Sequence, residues 1–268
     1  MPWRGLLPKW RKWVFRRNAC RWLLCSMVMS FVVLSSCETL ENVAEWVEEG
    51  TANLVQRIEQ RQIAAEQDPS NWDLSVLDTA RAVDYLSPLE KNVVLEVNKI
   101  RSDPTKYAEL YIKPTLRYYS GLQRSQGPNT TIQTKEGKAA VEQCIRALTS
   151  SKPRGILTPS EALSLAARDH VNDTGPKGIT GHSGSDRSNP LSRIARYDTG
   201  VRYIGENIDY GYASAREIVI SLLIDDGVPS RGHRKNIMEP NYQMVGVAFG
   251  MHATYRHMCV LDFAAQPK

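Results

Sequence analysis

Three glycine-marked segments in the last third of the chain concentrate side chains able to do chemistry: Gly181-His182-Ser183, Gly205-Glu206-Asn207-Ile208 and Gly232-His233-Arg234-Lys235-Asn236-Ile237. Two imidazoles and a carboxylate are the donor set of an open metal or ligand site, with a position left for water or substrate. All five histidines fall between residues 170 and 257, so their placement says more than their number. His170 closes the amphipathic run Leu163-Ser164-Leu165-Ala166-Ala167-Arg168-Asp169 and reads as a structural residue that orients its surroundings. His252 and His257 bracket a turn and read as solvated turn or strand residues. His182 and His233 each follow a glycine in a loop, where a side chain can point into a cleft. Signatures of catalysis are thin: there is no His-Glu-x-x-His zinc helix, and Gly181-His182-Ser183-Gly184 lacks the spacing of a nucleophile elbow. Ser183 is therefore expected to orient its loop.

The elements that must position these residues are clearly punctuated. Ser87-Pro88-Leu89-Glu90, Thr158-Pro159-Ser160-Glu161 and Ser214-Ala215-Arg216-Glu217 each pair a hydroxyl cap with a glutamate three residues on. Helical spacing follows Ser87, Asp103-Pro104 opens a further helix, and similar segments cover 135–148, 160–171, 190–195 and 214–224. Strand character marks 201–210, 244–251 and 258–263, with 252–256 suited to a hairpin turn. Helices with a few strands and no regular βαβ alternation predict an α+β fold.

The N-terminal third has a different composition. Residues 1–36 hold seven Lys or Arg and no acid, so the remaining chain carries 27 bases against 29 acids, a net charge of −2. The overall charge of +5 thus belongs to a targeting segment, and nothing supports a nucleic-acid footprint on a folded face. The basic stretch ends at Arg21, and the uncharged run 22–36, at 15 residues, is short for a membrane-spanning helix. It reads as a signal peptide over 1–36. Leu34-Ser35-Ser36-Cys37 resembles the lipobox of bacterial lipoproteins, which implies acylation of Cys37 and a membrane anchor; an uncleaved signal anchor, or an ordinary signal with Cys37 incidental, are the alternatives. In Gram-negative lipoproteins a Glu such as Glu38 after the cysteine does not retain the protein at the inner membrane, so an outer-membrane location is the expectation there. Residues 37–67 predict a helical stalk with the stripe Leu40, Val43, Val47, Leu54 and Ile58, and 68–85 a loop or linker. Once Cys20 and Cys25 leave with the signal and Cys37 takes lipid, Cys144 and Cys259 remain, either bridged or as two buried thiols.

From Leu86 to Ala265 the three site segments and their framework resemble the CAP superfamily: cysteine-rich secretory proteins, antigen 5, pathogenesis-related class 1 proteins and bacterial relatives. The order Gly-Glu-Asn-Ile, Gly-His-x-x-Asn-Ile and then Val260-Leu261-Asp262-Phe263 carries most of that likeness. It implies an α-β-α sandwich over 86–268 and a central cleft lined by two histidines and two acids. His182, Glu206 and His233 match three of these, and their convergence rests on the resemblance. For the fourth, many members have Trp followed three residues later by Glu, where this chain has Leu222 and Asp225, with Asp226 adjacent. Asp225 is a shorter substitute, while Glu217 is explained by its cap position. With the signal segment and lipobox, the reading is an exported, lipid-anchored envelope protein; binding of a small apolar molecule, peptide or glycan in the cleft, as the resemblance to ligand-binding relatives suggests, is favoured over catalysis. A divalent metal such as zinc on His182, His233 and Glu206 is the expected cofactor. The alternative is a metal-dependent hydrolase of peptide or cell-wall material with Glu206 as general base.

Overall fold

The computed structural model describes residues 70–127 and 130–265. The signal peptide, Cys37 and the stalk lie outside the described residues, among which no helix is long and apolar enough to cross a membrane. In chain order the elements are α1 (Leu74–Leu77), α2 (Pro88–Ser102) and α3 (Pro104–Tyr107), a π-helical turn Ala108–Ile112 and a 3-10 turn Lys113–Tyr118. Then come β1 (Tyr119–Ser120), β2 (Gln123–Gly127), β3 (Thr130–Gln133), α4 (Lys138–Thr149), β4 (Thr158–Pro159), α5 (Glu161–Thr174) and α6 (Pro190–Ile194). The chain finishes with β5 (Ile204–Tyr210), α7 (Ala215–Ile224), α8 (Gly232–Ile237), β6 (Met244–His252) and β7 (Arg256–Ala264).

The main sheet has the order β4-β6-β7-β5, with β4 parallel to β6 and the other pairs antiparallel. β6 and β7 form the expected hairpin, pairing His252 with Arg256 at one end and Met244 with Ala264 at the other. Because successive strand residues face opposite sides, the two faces of β6 and β7 build two cores. Val245, Val247, Cys259, Leu261 and Phe263 pack with α2, α4 and α7 through residues such as Val97, Val141 and Ile218. On the other face Ala248, Met258 and Val260 meet Ala167 and Val171 of α5, and Ala264 meets Leu163, Ala166 and Ile194. The α+β architecture is thus an α-β-α sandwich, and burial on both faces explains why Met258–Phe263 is apolar without alternation. A side chain at Gly246 would run into the backbone of Leu163 and Ser164, so glycine there lets α5 lie close on the sheet.

The start of α2 has both arms of the capping box: the Ser87 amide donates to Glu90 Oε2 at 2.7 Å and the Glu90 amide to Ser87 Oγ at 3.4 Å. Asp103 caps α3 through the Lys106 amide. The other two boxes form differently. Pro159, expected at the first turn of a helix, lies in β4 beside Val245, and the cap of α5 is Ser160, whose hydroxyl accepts from the Leu163 amide. Ser214 occupies the cap of α7 without a side-chain bond. Residues 70–85, loop-like in composition, carry α1 and bury Trp72, Leu77 and Ala80 in the core. A small three-stranded sheet, β1-β2-β3, covers 119–133, where no strand was expected; its polar, mostly exposed sequence has no apolar face. Cys144 and Cys259 are separate buried thiols, so the bridge expected as one option is not made. Cys144 Sγ donates to the Leu223 carbonyl at 3.2 Å, and burial pushes its thiol up to about 11.

Candidate functional site

The site is built around β5, an edge strand of the main sheet. Glu206 and Asn207 are neighbours on it and so point to opposite faces. On one face Glu206 Oε1 accepts from His182 Nδ1 at 2.7 Å, and Oε2 accepts from Arg193 Nη2 at 2.5 Å. On the other the Asn207 side-chain amide donates to the His233 carbonyl at 2.9 Å, holding α8 against the strand. Asn236 closes the join by donating to Asn207 Oδ1 at 2.9 Å and to the Glu206 carbonyl at 3.3 Å. The two asparagines of the Gly-Glu-Asn-Ile and Gly-His-x-x-Asn-Ile segments therefore bind each other. Gly205 is required because a Cβ there would strike the Tyr242 hydroxyl and the Asn236 amide.

His233 pairs with the fourth predicted residue, Asp225: its Nδ1 donates to Oδ1 at 2.6 Å and its backbone N–H to Oδ2 at 3.0 Å. Asp225 reaches back because it ends α7 in the left-handed conformation, φ 59°. The loop between them is fixed by Arg231, which is bonded to both Glu136 oxygens and to the Asp225 carbonyl at 2.7 Å. Asp226, also considered from the sequence, is committed elsewhere, accepting from the Lys135 and Glu136 amides at 2.7 and 2.8 Å.

The loop presenting His182 is held from below. His170, buried in α5 as its pattern predicts, donates from Nε2 to the Gly181 carbonyl at 2.8 Å; the Gly181 amide donates to the Tyr210 hydroxyl at 2.9 Å; Arg193 Nη1 donates to the His182 carbonyl at 3.0 Å. Burial and the nearby Arg193 cation keep His170 below the usual imidazole range, so its proton sits on Nε2 of a neutral ring. His252 departs from expectation. It is 1% exposed, Nδ1 accepts the Thr254 and Tyr255 amides, and Nε2 donates to Ile179, so it ties the hairpin turn to the 179 loop. His257 stacks on Phe249, ring centroids 5.4 Å apart.

A carboxylate only accepts, so each paired imidazole carries its proton on Nδ1 and presents Nε2 outward. Neither Nε2 has a hydrogen-bond partner among the described residues. The bond to Glu206 raises His182 above its ordinary value. Beneath Glu206 lies Asp262, directly opposite it in the β5–β7 pairing and fully buried. Burial, with the Glu206 charge beside it, pushes the Asp262 carboxyl well above the usual range. Arg193, likewise fully buried, is the cation for this acidic pair. Sequence patterns gave no role to Arg193 or Asp262. The only signal was an arginine inside a short predicted helix and an aspartate inside an apolar strand.

Carboxylate-oriented imidazoles with free Nε2 atoms are how metal-ligating histidines are commonly held. Both Glu206 oxygens are spent on His182 and Arg193, so Glu206 orients a donor instead of being one, and no group of three His, Cys, Asp or Glu suited to a metal occurs among the described residues. Alongside His233 a cavity of about 380 Å³ opens between β5, α7 and the small sheet, lined by Asp209, Arg124 and several tyrosines.

Residues 95–263 match the CAP family, described as the cysteine-rich secretory protein family. Protein YkwD of Bacillus subtilis (strain 168) is 29% identical over 125 residues, 45% of this chain and 47% of that protein, so the match spans about half of the relative's length. Among solved structures, an outer surface protein from Borrelia burgdorferi has a TM-score of 0.36 and 18% identity, covering 41% of this chain and 77% of that one. An extracellular protein containing an SCP domain from Bacillus anthracis str. Ames has a TM-score of 0.36 and 20% identity, covering 53% and 45%. With the family match extending over most of the chain and the glycine, histidine and asparagine segments interlocked at β5, this chain belongs to the CAP family of cysteine-rich secretory proteins.

Proposed function

We propose that the protein is an exported CAP-domain binding module, anchored to the cell envelope through acylated Cys37, whose cleft holds a ligand beside His182 and His233. A divalent cation, zinc by ligand type, is bound there by the two imidazole Nε2 atoms, the remaining positions falling to water or ligand. The observation that carries the reading is the paired geometry: each Nδ1 is tied to a carboxylate at 2.6 to 2.7 Å while each Nε2 has no hydrogen-bond partner among the described residues. Glu206 and Asp225 then act as orienting partners of their histidines, and the bond to Glu206 raises the basicity of His182. Binding is favoured over hydrolysis because the expected general base, Glu206, has a side chain only 2% exposed, with one oxygen on His182 and the other on Arg193, so it presents no face to an attacking water.

Calorimetric titration of the full chain with Zn²⁺ tests the site. Wild type is expected to bind, and His182→Ala with His233→Ala to lose binding; matching isotherms would remove the metal. Occupancy is expected to weaken as pH falls through the imidazole range, and for His182 the loss begins above the ordinary value of about 6.5 because the Glu206 bond holds its proton more tightly. Release of product from peptide or cell-wall substrates, abolished in Glu206→Gln, would instead establish the hydrolase.

A further inference from the structure

In an antiparallel pair alternate residues exchange hydrogen bonds with the partner strand, and those between turn their backbone groups the other way. β5 pairs with β7 from Ile204 opposite Ala264 to Tyr210 opposite Met258. The bonds just beyond its two ends fix the phase: the Ala265 N–H donates to the Tyr203 carbonyl at 3.0 Å and the Gly211 N–H to the His257 carbonyl at 2.9 Å. Odd-numbered residues of β5 therefore bond to β7, and Glu206, Ile208 and Tyr210 turn their N–H and C=O outward from the sheet. The Glu206 carbonyl agrees with this phase, since it accepts from the Asn236 side chain at 3.3 Å. Past that bond, the N–H and C=O of Ile208 and of Tyr210 have no partner among the described residues. Ile208 is only 6% exposed, and backbone groups so close to the interior are nearly always matched. Their outlet is the cavity beside His233. Ile208 lines it although its side chain packs with Ala167 and Val171 of α5 on the other face of the sheet, so the part of Ile208 that meets the cavity is the strand edge.

We propose that the ligand of the cleft is an extended peptide, which adds to the free edge of β5 as a further strand and exchanges backbone hydrogen bonds with Ile208 and Tyr210. The proposal rests on the reading of the cleft as a ligand-binding site and names its ligand class. An apolar occupant would leave all four backbone groups unmatched, at a cost in binding free energy. Donor and acceptor recur here at the two-residue repeat of a strand, about 6.6 to 6.8 Å, and another extended backbone is the partner that matches such a row along its length. A second copy of the sheet is the wrong shape for this edge, because no residue from Glu206 to Asp209 is more than 7% exposed and the strand is recessed among its neighbours. A single extended segment reaches it. The placement of the histidines follows from the same geometry: His182 is tied to Glu206 on one face of β5, and His233 to Asn207 on the other. Successive side chains of an added strand point to opposite faces, so alternate residues of the peptide are turned toward one imidazole and then the other.

The test uses the full chain in EDTA, so that its outcome is independent of the Zn²⁺ titration and the two readings can fail separately. In the free protein, amide hydrogen exchange read by NMR is expected to be at least about tenfold faster at Ile208 and Tyr210 than at Asn207 and Asp209, whose N–H groups bond to β7. A randomised mixture of N-acetylated hexapeptide amides is then passed over the immobilised protein, and retained sequences are identified by mass and resynthesised. A retained peptide is expected to slow exchange at Ile208 and Tyr210 by about tenfold or more while leaving Asn207 and Asp209 unchanged. N-methylation of alternate amides of that peptide removes the donors along one of its edges only. Methylation in one register is expected to weaken binding about tenfold or more, and in the other register to leave it intact. Equal exchange at all four amides of the free protein would mean that the edge is closed, and an absence of retained peptides that water alone satisfies it. Either result overturns the proposal, as does a peptide that binds without protecting Ile208 and Tyr210 or that is affected equally by methylation in the two registers.

Discussion

Asp209 and Arg193 show how two charged groups buried at the same strand have opposite consequences. Burial pushes the Asp209 carboxyl up to about 7, so the folded chain keeps a proton there that the unfolded chain releases near pH 4. The sign follows directly: the contribution to stability is complete below pH 4 and is lost as pH rises through 7. Asp209→Asn is therefore expected to make the protein more stable at pH 8 than wild type, by roughly 3 kcal/mol, with little difference at pH 4. Urea unfolding at the two pH values reads this, and parallel curves would disprove it. Arg193 acts the other way, because its removal strands the Glu206 charge, with Asp262 beneath it, at a site closed to water. Arg193→Met is expected to cost about 3–5 kcal/mol of stability at pH 7. A loss under 1 kcal/mol by the same unfolding measurement would mean Glu206 is not held by that cation.

At the scale of elements, the Ser87 box and the Gly246 contact define how α2 and α5 seat on the sheet. Ser87→Ala removes the hydroxyl acceptor of the Glu90 amide and is expected to cost about 1 kcal/mol. Gly246→Ala forces α5 away from β6 along Leu163 and Ser164 and is expected to cost about 1–3 kcal/mol, measured as a fall in denaturant midpoint. Much of this scaffold was legible in the chain. The hairpin of β6 and β7, the helices near 138–149 and 161–174, and the start of α2 follow from apolar spacing and local caps, which are short-range properties. The Thr158 cap was misplaced because the extended conformation of Pro159 is used in pairing with β6, a contact from 86 residues further on. The β1-β2-β3 sheet was invisible because Gln123–Gly127 carries no buried face to alternate. Within the site, His182, Glu206 and His233 stood out by type and turn position, and Asp225 only through family likeness. Arg193, Asp262, Asp209 and Arg124 were silent, since a buried charge declares itself only when its distant partners, or their absence, are in view. His252 looked like a surface turn residue for the same reason: its burial is made by the 179 loop.

Across the whole folded body, Arg101 performs for the chain what Asn236 performs for the cleft. Fully buried at the end of α2, its guanidinium donates to the carbonyls of Gly155, Ile237, Glu239 and Tyr242 at 2.6 to 3.1 Å. It therefore joins the approach to β4, the end of α8 and the turn into β6, and α8 carries His233. Arg101→Met is expected to leave those carbonyls unmatched and lower stability by about 3 kcal/mol or more, and to weaken Zn²⁺ affinity through α8 without touching a ligand atom.

Cys144 and Cys259 sit at zero exposure on the α2–α4–α7 side of the sheet, and burial raises both thiols above their ordinary values. Chemical access to them thus exists only while that layer is open. Iodoacetamide labelling of these two positions, resolved by peptide mass, becomes a clock for core opening, needing no dye, engineered probe or denaturant. Because no cross-link joins them, the same clock should tick at one rate with or without a reducing agent.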